Sequence, residues 1–480
     1  MHPSMIFHSS DAALAYLLAE WAIRLVMVVV VPLRRTPDAA RSWLLLVFFL
    51  PIPGVLLYWL IGRPAFPAWR QRRFTRLRPQ LELVAQRLAM SAPAPVAAGP
   101  AEARAIDLAR ALGGFGPIDG NRIEILDDYT GLIDRLVADI DGASDHVHLL
   151  VYIFADDATG TRVIDALARA VARGVTCRVL VDALGSRPWA DRVLHRLHAA
   201  GVHAHRALPL RVGRRRRTRG DLRNHRKVFV VDGRIGYIGS QNLVDRDFRP
   251  GIVNEELVAR VEGPITQQLQ ATFVGDWFLE TDVVLEADGL YPPMMSRGGS
   301  VAQLMPSGPD YHVPGFERVL VQLVHEATAR LVITTPYLIP DEALLAAMQT
   351  AVLRGVEVHL VLSMVSDQQL VSLAQRSYYD EMLRAGVLIH QYRDRLLHAK
   401  HFTVDDGIAV IGSSNVDVRS FLLNAELNML VYDTRVVGEV TRLQQEYFTR
   451  SELVTLDAWR GRPVLRKVAE NLARLVSAVL

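Results

Sequence analysis

Two short stretches hold the residues best suited to chemistry: NHRKVFVVDGRIGYIGSQN, from Asn224 to Asn242, and LHAKHFTVDDGIAVIGSSN, from Leu397 to Asn415. His225, Lys227, Asp232, Gly239, Ser240 and Asn242 recur as His398, Lys400, Asp405, Gly412, Ser413 and Asn415, each 173 positions on. The chain has 54 Lys plus Arg but three lysines, Lys227, Lys400 and Lys467, so two of the three fill one slot of a duplicated unit. A lone His-x-Lys usually carries no function; its doubling in fixed register points to a catalytic pair. Where arginine is used almost everywhere else, that slot needs a compact ammonium on a flexible stem rather than a planar fork.

Side chains two apart on a strand share a face, so each histidine and its lysine point the same way. Ser240 with Asn242, and Ser413 with Asn415, follow a tight glycine turn and add neutral donors for a phosphate. Two such units facing each other suit a phosphodiester. The lysines and amides hold the non-bridging oxygens, one imidazole attacks phosphorus, and the other protonates the departing alcohol. That chemistry needs no metal or other cofactor. Glu256 and Glu426 follow the two histidines by 31 and 28 residues, each two past an asparagine, Asn254 or Asn424. Each is expected behind the histidine it follows, orienting and polarising the imidazole.

The elements that must position these residues read as alternating strands and helices, the layout of an α/β fold. DHVHLLVYIF (145–154) and TCRVLVDAL (176–184) read as buried strands around an amphipathic helix over 160–175. ARLVITTPYLI, DEALLAAMQTAVLRGV and EVHLVLSMV repeat the order in the second half. Both helices end in Arg-Gly-Val, with glycine where a helix C-terminus favours it. A net charge of +3 is too small to make the whole chain a polyanion binder. The single cysteine, Cys177, excludes an internal disulfide and reads as a buried apolar residue.

The first 63 residues read as a membrane anchor. One apolar segment runs over about 12–33, interrupted by Glu20 and Arg24, which either neutralise each other in a spanning helix or stay in water if the segment lies in the interface. A second, over about 43–61, is uncharged and reads as transmembrane, with Pro51, Pro53 and Gly54 predicting a kink or re-entrant turn. Arginines 34, 35 and 41, and 63, 70, 72, 73, 76 and 78, favour a cytoplasmic body. An Ala/Pro-rich linker over 91–103 follows.

The paired HRKVFVVD and HAKHFTVD, each leading to GSxN, resemble the H-x-K-x4-D motifs of the phospholipase D superfamily. SGPD (307–310), TPYLIPD (335–341), RSYYDEMLRAGV (376–387), NVDVRSFLLNAELN (415–428) and the N-terminal pair ending in LIGR resemble the bacterial cardiolipin synthases over nearly the whole chain. The resemblance implies two phospholipase D-like α/β/α sandwich domains related by pseudo-two-fold symmetry, behind a transmembrane helical hairpin. The divisions are 1–63, 64–115 (basic stretch and linker), 116–295 and 296–480. It implies phosphatidyl transfer between two phosphatidylglycerol molecules through a phosphohistidine, at the bacterial inner membrane. His225, Lys227, Asp232, His398, Lys400 and Asp405 would be the catalytic set, with His225 as attacker and the aspartates as structural and electrostatic supports.

The run RVGRRRRTRGDLRNHR contains Arg214, Arg215, Arg216 and Arg217 and is expected to hold anionic headgroups at the bilayer rather than nucleic acid. The C-terminal stretch 464–480 spaces Leu465, Val468, Leu472, Leu475 and Val479 on one helical face, a stripe that more often packs into a core than meets a membrane, with docking on the bilayer beside the anchor as the alternative. Rival readings are a lipid-hydrolysing phospholipase D, a synthase with another headgroup acceptor, a nuclease of the superfamily and a catalytically inert scaffold. The membrane segments count against the nuclease, and the intact motifs count against the scaffold. The first half is three residues longer than the second between Asn242 and Asn254, compared with Asn415 to Asn424, so the halves are expected to differ in task.

Overall fold

The computed structural model describes residues 4–35, 37–62, 66–91, 99–210, 218–285, 289–311, 313 and 315–475. The chain divides into two compact units, Met1–Ala65 and Phe66–Leu480.

In the first unit the helix Ser4–Val30 contains a stretch, Ala12–Val30, long and apolar enough to cross a membrane. Glu20 and Arg24, one turn apart, form an ion pair at 3.1 Å. The second apolar run departs from the expected span over 43–61. It forms two helices, Pro37–Phe49 and Pro51–Ile61, of 13 and 11 residues, each under about 20 Å long, against a hydrocarbon core of about 30 Å. Pro51 is the cause. It bars Leu50 from helical geometry (φ −133°, ψ 75°), while sitting at a first helical position where its missing N–H is no loss. The helices double back, with Trp43 meeting Tyr58 edge to face at 5.2 Å and Gly54 packed against the backbone of Val47. The run expected as one helix is thus two short helices packed on each other.

The strands of the second unit's first half are β1 (Ile118–Leu126), β2 (His146–Val151), β3 (Thr176–Asp182), β4 (His203–Ala207), β5 (Arg223–Asn224), β6 (Val228–Val231), β7 (Ile235–Gly239), β8 (Asn254–Glu255) and β9 (Val258–Glu262). Those of the second half are β10 (Ser300–Ser307), β11 (Arg330–Thr335), β12 (Glu357–Ser363), β13 (Leu388–Tyr392), β14 (Leu396–Leu397), β15 (His401–Val404), β16 (Ile408–Gly412), β17 (Asn424–Val431) and β18 (Ser451–Leu453). Across the sheet the order β4-β3-β2-β6-β7-β9-β1 continues as β10-β17-β16-β15-β11-β12-β13-β18. The second half is therefore the first in reverse with an added edge strand, and the antiparallel β1–β10 seam relates the halves by a pseudo-two-fold axis.

Strand alternation sorts side chains into three cores. Val147, Leu149 and Val151 of β2 pack with the helices Tyr129–Asp141, Ala158–Ala172 and Ala190–Ala199, and Cys177 is buried there. Leu331 and Ile333 of β11 pack with Phe316–Glu326 and Glu342–Leu353. Leu150 and Val332, pointing the other way, join a shared core with the helices Ile265–Thr281 and Thr434–Thr449. Gly174 and Gly355 end their helices with φ of +92° and +90°, the left-handed position anticipated from Arg-Gly-Val.

Residues 64–115 are more than a basic linker. The helix Ala68–Ser91 buries Arg70 against Glu280 and Asp310, and Arg73 donates to the Leu279 carbonyl at 2.6 Å. The helix Pro100–Gly113 supplies Ala105 and Ala109 to the second half's outer core. Residues 92–98 of the Ala/Pro stretch and Arg214, Arg215, Arg216 and Arg217 lie outside the described residues. The C-terminal helix Val464–Leu475 contradicts the expectation of core packing, because Leu465, Val468, Leu472 and Leu475 face outward.

Candidate active site

Each histidine is placed by two-residue strands that cross between the halves. β5 runs parallel to the start of β17, pairing Arg223 with Asn424 and Asn224 with Ala425. β14 runs parallel to β8, pairing Leu396 with Asn254 and Leu397 with Glu255. The chain continues the pattern for one more bond on each side: His225 N–H donates to the Ala425 carbonyl at 2.9 Å, and His398 N–H to the Glu255 carbonyl at 2.8 Å. The next residue along each carrier strand is the glutamate. His225 Nδ1 therefore lies 3.0 Å from Glu426, and His398 Nδ1 lies 2.7 Å from Glu256. The pairing expected within each half is corrected to a crossed one, so neither half is a complete site.

Lys227 and Lys400 are buried, and each donates to the carbonyl of its own histidine, at 2.7 and 2.6 Å. Burial pulls Lys227 down to about 7 and Lys400 to about 8, against the pull of the glutamates. Burial also lowers both histidines to about 4, although each faces a carboxylate. Burial opposes the charge of Glu256 and Glu426 too, but the histidine and lysine beside each outweigh it and hold both below the usual carboxylate range. The free site thus holds two carboxylates and two neutral imidazoles. With the Nδ1 proton directed at the carboxylate, the lone pair is on Nε2.

Both histidines line a cavity of about 260 Å³, with Asn242, Asn254, Asn415 and Asn424 from the two halves. Asn242 Oδ1 accepts from the Ile153 N–H at 3.1 Å, which turns its amide donors toward the cavity. Tyr152 meets the His225 ring edge-on at 4.8 Å, and Tyr337 meets His398 at 6.4 Å.

Other expected site residues lie elsewhere. Ser240 exchanges hydrogen bonds with the Leu257 backbone at 3.1 Å, and Ser413 donates to Glu426 at 2.5 Å. Like Lys227 and Lys400 they are not among the residues lining the cavity, and their hydroxyls are spent on bracing the glutamate-bearing segments, which corrects their expected place at the phosphate. Asp232 and Asp405 follow the far ends of β6 and β15. Asp232 accepts from the N–H groups of Ser144, Asp145 and His146, and Asp405 from those of Thr328, Ala329 and Arg330, all within 2.9 Å. They anchor turns and are not among the residues lining the cavity. Both adopt left-handed φ, 52° and 48°.

Sequence reasoning grouped Arg226 with the surface arginines, but it is buried: it grips Asp276 at 2.6 Å and donates to the Glu426 carbonyl at 3.0 Å. Arg223 is buried as well, against Asp182. Tyr152 and Tyr337 were not anticipated. Tyr152 directly follows β2 and Tyr337 lies two residues past β11, within TPYLIPD, and this position at the end of a buried strand is a signal that could have found them.

The family described as cardiolipin synthase, PLD-like domain, matches residues 136–277 and 320–450, and the phospholipase D-nuclease N-terminal family matches 21–63. Cardiolipin synthase A of Pectobacterium carotovorum subsp. carotovorum (strain PC1) is 31% identical over 456 residues, 93% of this chain and 94% of the relative. That of Erwinia tasmaniensis (strain DSM 17950 / CFBP 7177 / CIP 109463 / NCPPB 4357 / Et1/99) is 32% identical over 460 residues, with the same coverage. The crystal structure of phosphatidylserine synthase from Haemophilus influenzae Rd KW20 covers 79% of this chain and 100% of its own, with a TM-score of 0.61 at 15% identity, a likeness of fold. The family match over more than half of the chain, with relatives above 30% identical along 93% of it, makes this chain a member of the cardiolipin synthase family, built on the phospholipase D-like fold.

Proposed function

We propose that the chain transfers the phosphatidyl group of one phosphatidylglycerol to a second, giving cardiolipin and glycerol, without a metal ion. The observation that carries this is the crossed pair of neutral, carboxylate-backed imidazoles above two buried lysines. His225 Nε2 attacks phosphorus, the P–O bond to glycerol breaks, and His398, protonated once the anionic phosphodiester is bound, gives its proton to the leaving oxygen. The primary hydroxyl of a second phosphatidylglycerol then attacks phosphorus, His398 takes its proton, and the P–N bond breaks. Lys227 and Lys400 supply the charge that a metal would otherwise bring.

The division of labour follows from the carboxylates. Glu426 is shared, accepting also from Ser413 at 2.5 Å and Ser420 at 3.0 Å, and its contact with His225 is 3.0 Å. Glu256 reaches His398 at 2.7 Å, and its Oε2 has no hydrogen-bond partner among the described residues. The shorter histidine–carboxylate contact is the one at His398, hence the acid–base role for that residue.

The helix containing Ala12–Val30 would anchor the enzyme in the bacterial inner membrane, with residues 116–295 and 296–480 as the two catalytic domains in the cytoplasm. Arg214, Arg215, Arg216 and Arg217 would meet anionic headgroups. Purified protein given labelled phosphatidylglycerol in mixed micelles with a chelator is expected to make cardiolipin and glycerol, and His225→Ala and His398→Ala to lose both. Phosphatidic acid as the main product would overturn transfer in favour of hydrolysis. A donor with a leaving group that needs no proton should still label His398→Ala but not His225→Ala; the reverse pattern would exchange the two roles.

A further inference from the structure

The repeat places an arginine four residues beyond each cavity asparagine: Arg246 after Asn242 and Arg419 after Asn415, again 173 positions apart. The two are partnered differently. Arg246 donates to Glu255 at 2.5 Å and to the Asn254 carbonyl at 2.8 Å, so its charge is balanced within the first half. Arg419 lines the catalytic cavity and donates to the Asp221 carbonyl at 3.2 Å. No carboxylate among the described residues lies within ion-pair distance of it. Arg249, the other arginine in the cavity wall, is ion-paired with Asp367.

Unpartnered acceptors accompany this cation. Asn415 and Asn424 are 7% exposed and line the same cavity, and the side-chain oxygen of each has no hydrogen-bond partner among the described residues. Asn424 Nδ2 is directed at Glu426 at 3.4 Å, which fixes its oxygen as the free end. A guanidinium with unused donors beside amide oxygens that need donors matches a phosphodiester carrying free hydroxyls.

We propose that Arg419 binds the phosphodiester of the acceptor lipid, with the side-chain oxygens of Asn415 and Asn424 accepting from the hydroxyls of its glycerol headgroup; this rests on the transfer reaction proposed above. In the transfer reaction proposed above, the donor phosphate takes up the charge of both catalytic lysines. A second anionic lipid entering the same cavity meets that phosphate's charge and needs a counter-charge of its own. A planar fork suits a phosphate that is held and not transferred, whereas the reacting phosphate is served by the compact ammonium of lysine. In the first half the equivalent fork is already occupied by Glu255, so one acceptor position results rather than two.

The test uses the full chain, labelled phosphatidylglycerol, and a short neutral alcohol that competes with the acceptor lipid for the phosphatidyl-enzyme. In Arg419→Gln the ratio of cardiolipin to phosphatidyl-alcohol should fall on the order of ten- to a hundredfold, the loss expected for one charge-assisted contact. Glycerol release from the donor should stay within about twofold, and Arg419→Lys should recover part of the ratio, since a charge without a fork replaces half the interaction. An unchanged ratio, or glycerol release falling in parallel with it, would overturn the assignment. Failure of the unaltered protein to make cardiolipin would instead overturn the transfer reaction on which it rests.

Discussion

In the proposed reaction Lys227 and Lys400 bind phosphate only while charged, and burial brings their loss of charge into the working range, at about 7 and about 8. Imidazole attacks only while neutral, and burial has moved its protonation down to about 4. The free enzyme's kcat/KM should therefore fall as pH drops through about 4, where the nucleophile protonates; it should decline above that as His398 loses the proton it must donate, and more steeply through 7 to 8, where the lysines discharge. A profile of initial rates against pH in uncharged detergent checks this; an alkaline limb above 10 would show the lysines to be charged at the ordinary lysine value. These two lysines were legible because the chain uses lysine so rarely and sets two in one register. Ser240 and Ser413 were misplaced because period two fixes a side chain's face but not the partner waiting there. Glu256 and Glu426 were found, yet their exchange between histidines was hidden, since spacing along one half says nothing of a strand in the other. The exchange makes a second prediction. Glu426→Gln should slow formation of the phosphohistidine on His225, whereas Glu256→Gln should spare attack on a donor with a leaving group that needs no proton and slow turnover of ordinary phosphatidylglycerol. Rapid-quench labelling with the two donors separates them, and identical behaviour of the two variants would contradict the crossed assignment.

β5, β8 and β14, two residues each, decide which glutamate reaches which histidine, and such short pairings leave no periodic trace in a sequence. The long strands and the helices closed by Gly174 and Gly355 were legible for the opposite reason: their period and their caps repeat over many residues. Pro51 announced a break, but whether the chain bends or doubles back depends on Gly54 meeting Val47, a contact set by packing. Gly239 and Gly412 belong to this scale. A Cβ on Gly239 would collide with the Leu257 carbonyl and the Val258 Cα beside Glu256; one on Gly412 would collide with Leu427 and Asn428 beside Glu426. Alanine at either glycine should destabilise the fold by about 1–3 kcal/mol through overpacking. Because the displaced strand carries a glutamate, activity should fall more than tenfold even at temperatures where circular dichroism shows the protein fully folded. A melting temperature lowered with normal activity in the folded protein would show that the strand absorbs the methyl without moving its carboxylate.

The whole molecule carries an outward apolar surface that its own packing does not explain. In the helix Val464–Leu475, Leu465 is 84% exposed and Leu475 73%, while Glu470 faces inward at 1% and pairs with Arg462 at 2.6 Å. A helix stabilised by a soluble core does the reverse. The outward residues are flanked by Lys467 and by Arg466 and Arg474, which also pair with Glu470 and Glu381 at 3.6 Å, so the helix sets an apolar stripe beside basic side chains, the composition of a surface for anionic lipid. Each leucine moved from water into hydrocarbon contributes about 1.5–3 kcal/mol, enough for two or three of them to hold the catalytic body against a bilayer surface while it works. Leu465→Ser combined with Leu472→Ser should leave the melting temperature unchanged, because both side chains are exposed in the folded protein. It should leave turnover in mixed micelles within about twofold, because substrate there reaches the cavity without docking. On vesicles of phosphatidylglycerol and a zwitterionic lipid it should lower turnover several-fold, and shortening the acyl chains to make the substrate soluble should abolish the difference. Equal loss in micelles and vesicles would assign the stripe to catalysis or folding, and equal activity in both would leave membrane attachment to the N-terminal segment.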